Sequence, residues 1–201
     1  MASGVSGTVP SPHELRFDCG RVCLDLLATA HPAERLDSVR RLRAWCTGEG
    51  LVPAGTVLHR ADPGWLTAFR ELRGHIGRLV SAELEGAVGR GAAALDHVNA
   101  AARAAPPAPR GLRTADGRLV LVPCTEPVCA ALLAVLARDA LELLADPAAR
   151  AALRRCAGDN CPLIYLDTSR GHRRRWCSSE VCGNRERVAR HRRRTAALTR
   201  G

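Results

Sequence analysis

The sequence predicts a mainly α-helical domain with one small β-hairpin, followed by a small cysteine-rich module. Three observations support this fold class. Apolar residues recur at three- and four-residue spacing through much of residues 14–150, four of the nine cysteines cluster near the end of the chain, and most of the excess positive charge lies around those four. With 46% hydrophobic residues, the chain has enough apolar material for a packed core, so wholesale disorder is not expected.

The positive charge is concentrated in the last quarter of the chain. All 30 basic residues are Arg, and 20 acidic residues leave a formal net charge of +10. Residues 1–153 contain 17 Arg and 16 acidic residues (net +1), whereas residues 154–201 contain 13 Arg and four acidic residues (net +9). A basic segment of this kind predicts a polyanionic partner. Because Lys is absent, Schiff-base chemistry and a Walker-type phosphate site are excluded.

No secretory or membrane-spanning segment is recognisable. The N-terminus, MASGVSGTVPSPHE, lacks a charged region followed by an apolar stretch, and the longest apolar run, Val128–Ala137, is far shorter than the roughly 20 residues that cross a bilayer. We therefore expect a cytoplasmic protein with no membrane partner, in which disulfides are rare and clustered cysteines more often bind metal.

The helical domain is expected to cover residues 14–150, after a Ser-, Gly- and Pro-rich stretch over residues 1–13 that we expect to be disordered. A helix rich in alanine is predicted over Ala92–Ala105. The other helices are marked by turn and capping residues: Gly20 before the first, Asp37 or Ser38 before the second, which Gly48 and Gly50 stop, Asp62-Pro63 before the third, Thr125 or Glu126 before a long apolar helix, and Asp146-Pro147 before a last helix that continues to Arg155.

The stretch GLRTADGRLVLVPC predicts the β-hairpin of this domain. Asp116-Gly117 predicts a type I′ turn between the strands LRT and RLVLV. No catalytic constellation is recognisable here, so we expect no enzyme.

The cysteine cluster follows the pattern C-x4-C, 15 residues, C-x4-C, with Cys156, Cys161, Cys177 and Cys182. Four thiolates suit one tetrahedral Zn²⁺, and the ion would be structural because no coordination position is left open for catalysis. A redox-active or chance grouping of cysteines is the alternative. A second metal site at Cys124 and Cys129, which repeat the spacing, is less expected than buried free thiols.

The residues between the cysteine pairs predict how the module folds. We expect a strand over Leu163–Asp167, a turn at Ser169–Gly171, and a second strand over His172–Trp176. After Gly183-Asn184, RERVARHRRRTAAL contains no helix breaker and predicts a basic C-terminal helix. This order is that of a treble-clef zinc finger over residues 154–198, a size at which structural zinc is needed for stability.

Arginines on the predicted helix and hairpin are the candidate nucleic-acid contacts. Arg187, Arg190, His191 and Arg194 share one helix face by their spacing, and Val188 and Leu198 would face the hairpin. DNA is the expected partner because arginines on such a helix can contact guanine or phosphate in a major groove. RNA is the alternative, and a solvated surface or an acidic protein partner would also explain the charge. The candidate contacts are Arg173, Arg174, Arg175, Asn184, Arg185, Arg187, Arg190, Arg192, Arg193 and Arg194.

Residues 154 to about 195 resemble the CGNR zinc finger, whose name is present as Cys182-Gly183-Asn184-Arg185. Asp167-Thr168-Ser169, the run RRRWCS and the basic helix also match that family. The family typically joins this finger to a mostly helical ABATE domain, and FDCGRVCLDLLAT resembles the opening of that domain, usually closer to GG-x-LCLDF-x-NT. Here Cys19 replaces a usual Gly, and Ala28 replaces the usual Asn.

The resemblance implies a bacterial regulator of transcription related to stress responses. We accordingly expect one structural Zn²⁺, a finger that binds DNA, and a helical domain that receives a small-molecule or protein effector. A single small finger supplies limited specificity, so a homodimer or a partner protein is also expected. Such a protein would be associated with the nucleoid.

Overall fold

The computed structural model describes residues 14–87 and 89–198, so the disorder expected for residues 1–13 lies outside the described residues. The fold is mainly helical with two small antiparallel sheets, as the sequence predicts. No described helix combines the length and apolar character needed to span a membrane. The elements are α1 (Val22–Ala28), α2 (Val39–Gly48), α3 (Pro63–Leu84), α4 (Ala92–Ala102), β1 (Pro109–Arg113), β2 (Leu119–Pro123), α5 (Cys129–Ala145), α6 (Pro147–Ala151), β3 (Leu153–Arg155), β4 (Ile164–Leu166), a π-helical turn (Ser179–Gly183) and α7 (Asn184–Leu198).

Capping side chains begin three of the helices where the sequence predicts them. Ser38 accepts a hydrogen bond from the Arg41 amide (3.3 Å), Asp62 from the Trp65 amide (3.1 Å), and Asp146 from the Ala148 amide (2.9 Å). Each cap satisfies an amide that has no partner within its helix.

The predicted start of α5 and the predicted end of α4 are wrong. α5 begins at Cys129, because Glu126 accepts a hydrogen bond from the Arg60 amide (3.0 Å) and caps no helix. α4 ends at Ala102, where Arg138 from α5 donates to the Ala102 carbonyl (3.0 Å). In both cases the helix boundary coincides with a tertiary hydrogen bond that the local sequence pattern does not indicate.

The core of the helical domain lies around α3, which contacts α1, α2, α4 and α5. Trp45 and Phe69 meet edge to face, with ring centroids 6.2 Å apart, and both side chains are fully buried. The same apolar cluster contains leucine and other aliphatic side chains from α3 and from every helix that contacts it, among them Leu24, Leu42, Ile76, Val98, Leu132 and Leu136.

The first hairpin, β1–β2, forms in the predicted place but with a different turn. Arg113 is opposite Leu119, and the Gly117 amide donates to the Thr114 carbonyl (2.9 Å). Gly117 has a φ of +80°, whereas Asp116 does not adopt a positive φ. A type I′ turn needs positive φ at both central residues, so the prediction of that turn is wrong. The observed loop is the three-residue kind that ends on a left-handed glycine.

The second sheet, β3–β4, differs from the expected hairpin. β4 pairs with Leu153–Arg155, which we expected to be helical, and not with His172–Trp176. α6 ends at Ala151. The expected strand over His172–Trp176 is wrong because His172 adopts a φ of +46° and the segment forms a loop.

The finger packs directly on the helical domain. The Leu166 amide of β4 donates to the Cys19 carbonyl (2.8 Å), and the Cys19 amide donates to the buried Asp25 carboxylate (2.9 Å) in α1. Gly20 has a φ of +93°, and a Cβ there would lie 3.2 Å from the Leu166 Cβ. Leu153, Ile164 and Tyr165 belong to the same apolar cluster as the helices, so the two parts share one core.

Candidate metal centre and nucleic-acid interface

The four predicted cysteine ligands meet at one point. Cys156 follows β3, Cys161 precedes β4, and Cys182 lies in the π-helical turn. All four sulfur atoms lie within 4.8 Å of one another, and Cys177 Sγ is 3.7 Å from both Cys161 Sγ and Cys182 Sγ. Zn–S bonds of about 2.3 Å in a tetrahedron place the sulfurs about 3.8 Å apart, so the observed separations fit zinc.

Three N–H groups donate to the ligand sulfurs. The Gly158 amide (3.4 Å) and the Cys177 amide (3.3 Å) donate to Cys156 Sγ, and the Arg16 guanidinium donates to Cys177 Sγ (3.3 Å). Such bonds stabilise thiolates and hold them in the orientation that the metal requires. The sequence pattern did not reveal Arg16, since it lies 161 residues from Cys177 in the chain.

The first cysteine knuckle depends on a small residue between its ligands. A Cβ on Gly158 would lie 3.2 Å from the Cys182 Cβ and 3.5 Å from Cys156 Sγ. Asn160 adopts a φ of +57°, and the Cys161 amide donates to the Gly158 carbonyl (3.1 Å), which closes the turn. Glycine therefore allows the two halves of the centre to approach one another.

Crowding of the thiols affects their ionisation. Contact with the Cys161 thiol raises the pKa of Cys177, and burial together with the charge of Cys177 raises the pKa of Cys182 to about 12. Because raised pKa values favour the protonated thiols of Cys177 and Cys182, binding a cation as thiolates at neutral pH must release protons from them. A divalent ion would reduce a thiolate charge of −4 to −2, which neighbouring arginines such as Arg16 would further offset.

The helical domain and the finger each match a known family. Residues 20–147 match the ABATE family model, described as "Putative stress-induced transcription regulator", and this match alone covers 128 of the 201 residues. The chain belongs to the ABATE family. Residues 152–195 match the CGNR zinc finger, in which Cys156, Cys161, Cys177 and Cys182 fit one structural Zn²⁺. A comparison with curated proteins gives no match.

The CGNR run connects the metal centre of this ABATE protein to its basic helix. Cys182 supplies the last sulfur, and the buried Gly183 donates from its amide to the Ser178 carbonyl (3.0 Å). Asn184 begins α7, and both Asn184 and Arg185 are exposed. The zinc centre thus lies at the start of α7.

Asp167 organises the loop that we expected to be a strand. Its buried carboxylate accepts hydrogen bonds from the Ser169 amide (3.0 Å), the Ser169 hydroxyl (2.6 Å) and the Arg174 amide (3.0 Å). The bond from the Ser169 hydroxyl is the main cause that holds the pKa of Asp167 below its ordinary value. The Asp-Thr-Ser step of the CGNR pattern is therefore a loop anchor in this chain.

Arg174 is committed to the finger itself. Its guanidinium lies 4.5 Å from the centre of the Tyr165 ring and donates to the carbonyls of Trp176 (2.9 Å) and Cys177. Because these contacts occupy the guanidinium, we leave Arg174 out of the proposed nucleic-acid interface.

The other described candidates face solvent. Arg173 and Arg175 are exposed on the loop, and Arg175 lies 5.3 Å from the ring centre of the half-buried Trp176. The exposed arginines of α7 are Arg185, Arg187, Arg190 and Arg192. The side chains of His191, Arg193, Arg194 and Leu198 lie outside the described part of the chain. Val188 is 44% exposed, so the expectation that it faces the hairpin is wrong.

A basic cleft of about 470 Å³ lies beside the loop. It opens between the loop over residues 173–176 and the start of the π-helical turn. The sequence did not reveal it because Asp18, which completes its wall, lies far from those residues in the chain. Its lining residues are Asp18, Arg173, Arg174, Arg175, Trp176, Ser178, Ser179 and Glu180.

Proposed function

We propose that this ABATE protein is a zinc-dependent DNA-binding regulator of transcription, located at the nucleoid. The CGNR finger would bind DNA, and the helical domain would receive a small-molecule or protein effector. The single observation that carries the proposal is the run of exposed arginines on α7, a helix that begins at the metal centre. The family description of the helical domain supports the regulatory part.

The shape and charge of α7 suit a DNA groove. Its 15 residues extend over about 22 Å, and a helix of this diameter fits a major groove about 12 Å wide. Arg187 and Arg190 are three residues apart and lie on one face. Val188, on the neighbouring face of the helix, is exposed as well, so more than one row of α7 side chains is available to a partner.

The aromatic residues of the finger favour duplex DNA over the second candidate, single-stranded RNA. Proteins that bind single strands stack bases on exposed aromatic side chains. In the described part of the finger, Tyr165 is fully buried and Trp176 is half-buried with Arg175 over its ring. The described part of the finger therefore offers several exposed guanidinium groups and little exposed aromatic surface for base stacking.

The proposal includes no catalytic role. Four cysteine ligands complete the coordination of a structural Zn²⁺ and leave no position for a substrate or an activated water. The clustered arginines can bind an anion but cannot act as general bases near neutral pH.

A charge-matched set of variants tests the proposal. We expect Arg185→Ala/Arg187→Ala/Arg190→Ala to weaken binding to duplex DNA at least about tenfold and to lower the salt dependence by about one unit per lost phosphate contact. The control, Arg40→Ala/Arg90→Ala/Arg103→Ala, removes three exposed arginines from the helical domain. Fluorescence anisotropy across a salt series measures both, with zinc content as a check on folding.

Two results would contradict the proposal. The first is equal loss of DNA affinity in the two triple variants, which would show that only total charge matters. The second is tighter binding to single-stranded RNA than to duplex DNA at the same salt concentration, which would favour the alternative partner.

A further inference from the structure

The hairpin β1–β2 is unusual because its side chains are largely uncovered. Every residue of β1 is exposed, and Leu119 and Leu121 of β2 are 67% and 66% exposed, more than any other large apolar side chain in the described residues. An isolated two-stranded hairpin is only marginally stable in water, and three or more strands are normally needed. The hairpin therefore lacks a covering partner within the described chain.

The two edges of this hairpin are protected unequally. β1 begins with Pro109 and includes Arg110 and Arg113, and proline and charge are both features that block further strand pairing. β2 reads Leu-Val-Leu-Val before Pro123, with neither charge nor proline among those four residues. The β2 edge is thus open to another strand.

The hydrogen-bond pattern shows which groups point out from the β2 edge. The Thr114 amide donates to the Arg118 carbonyl, and the Cys124 amide donates to the Ala108 carbonyl, both at 2.9 Å. Bonded and non-bonded pairs alternate in an antiparallel ladder, so Val120 and Val122 direct their backbone groups toward β1. Leu119 and Leu121 consequently direct their N–H and C=O groups away from β1, and no further strand of the described chain pairs there.

We propose that β2 pairs with β2 of a second copy of this chain, antiparallel and about a two-fold axis at Val120. Leu119 then exchanges two hydrogen bonds with Leu121 of the partner subunit, and the symmetric pair doubles this to four. All four leucines fall on one face of the resulting four-stranded sheet, where cross-strand contacts between them cover part of the apolar area that each hairpin exposes alone.

The alternative register is less favourable. An axis at Leu121 places Leu119 opposite the partner's Pro123, which has no N–H to donate, so the outward carbonyl of Leu119 stays unpaired in each copy. The axis at Val120 pairs every outward N–H and C=O group of Leu119 and Leu121. Two short strands also bury less accessible surface than the roughly 1,200 Å² that stable protein–protein interfaces bury, so we expect the dimer to dissociate on dilution. The proposal is independent of DNA binding, although a two-fold dimer would present two fingers to a symmetric site.

Sedimentation velocity from about 1 to about 200 μM tests the dimer, since this range brackets micromolar dissociation constants. We expect a concentration-dependent dimer that Leu121→Pro abolishes, because that change removes an outward N–H without breaking a bond to β1. Arg113→Pro likewise removes an outward N–H, on the β1 edge, together with the guanidinium's bond to the Gly117 carbonyl (3.0 Å), and should leave the dimer intact. A monomer at every concentration, or an equal response to both variants, would overturn the proposal.

Cross-linking tests the register in a Cys124→Ser background, which removes the exposed native thiol of the hairpin. Val120→Cys places two thiols at the axis, where Cα atoms about 4.5 Å apart permit a disulfide. Val122→Cys places them about 14 Å apart along the strands and should not cross-link. Equal cross-linking of both variants, or a heavier complex that contains another protein and no second copy, would reject the symmetric pairing.

Discussion

The helical domain has an extensive apolar core, whereas the CGNR finger has few buried apolar side chains and four clustered cysteines. In the domain, Trp45 and Phe69 are surrounded by leucines from several helices. In the described part of the finger, the buried apolar residues beside the cysteines are Ala152, Leu153, Leu163, Ile164 and Tyr165. Burial alone can stabilise the first region, but a module of about 45 residues usually needs a metal. The two regions should therefore respond differently to the same kind of damage.

The regions are nevertheless joined by a short segment near the N-terminus. Cys19 accepts a hydrogen bond from β4, and Arg16 donates to a ligand sulfur. Arg174 of the finger donates to the Asp18 carbonyl (3.4 Å). If one region unfolds, we expect its effect on the other to pass through the hydrogen bonds of this segment.

The largest effect is expected from removing two ligands. Cys177→Ser/Cys182→Ser should reduce bound zinc from one ion per chain to none, because it removes two of the four ligands. The effect on the finger is large because structural zinc contributes roughly 10–16 kcal/mol to the stability of such modules. We expect the helical domain to retain its cooperative thermal transition. Elemental analysis and circular dichroism measure these two outcomes.

The matched control for this variant is Cys124→Ser, which changes an exposed thiol outside the cluster. It should keep the full zinc content and the thermal transition. Stoichiometric zinc in the double variant would show that the ligands have been assigned incorrectly.

The converse change truncates the core of the helical domain. Trp45→Ala should lower the free energy of unfolding by about 3–5 kcal/mol, because the indole is fully buried against Phe69. Zinc should remain bound at temperatures below the transition. Urea unfolding with parallel zinc analysis checks this, and simultaneous loss of zinc and helix would show that the two regions unfold as one unit.

The smallest of the three effects concerns the contact between the regions. Arg16→Ala removes a donor to Cys177 Sγ and should weaken zinc binding by about 10–100-fold, as changes next to metal ligands usually do. Competition with a chromophoric chelator measures the affinity. The control is Arg21→Ala, five residues from Arg16 in the sequence. It breaks a 2.8 Å ion pair with Asp139 but should leave zinc affinity unchanged.

The two sheets show how far the fold could be predicted. β1–β2 is local, with a glycine turn between alternating strands, so its place was predictable although its loop type was not. β3–β4 joins strands separated by the first knuckle, and Leu153–Arg155 continues an alanine-rich stretch that resembles a helix. Its strand conformation depends on pairing with Ile164–Leu166, which no local pattern indicates.

The metal centre was more predictable than the surroundings that support it. The spacing of four cysteines was sufficient to identify the ligands, because few arrangements bring two knuckles to one ion. The contact from Arg16 and the internal bonds of Arg174 depend on tertiary packing, so sequence spacing could not distinguish Arg174 from its exposed neighbours. The arginine contacts with nucleic acid stay a prediction.

Controlled removal of zinc tests most directly whether the zinc-stabilised finger is the part of the chain that binds DNA. On one sample of the full chain, a strong chelator would be titrated while anisotropy reports bound duplex DNA and circular dichroism reports helix content. We predict that DNA affinity falls in proportion to the zinc lost, that most helical signal remains, and that added Zn²⁺ restores binding. Undiminished DNA affinity after complete loss of zinc would contradict this prediction.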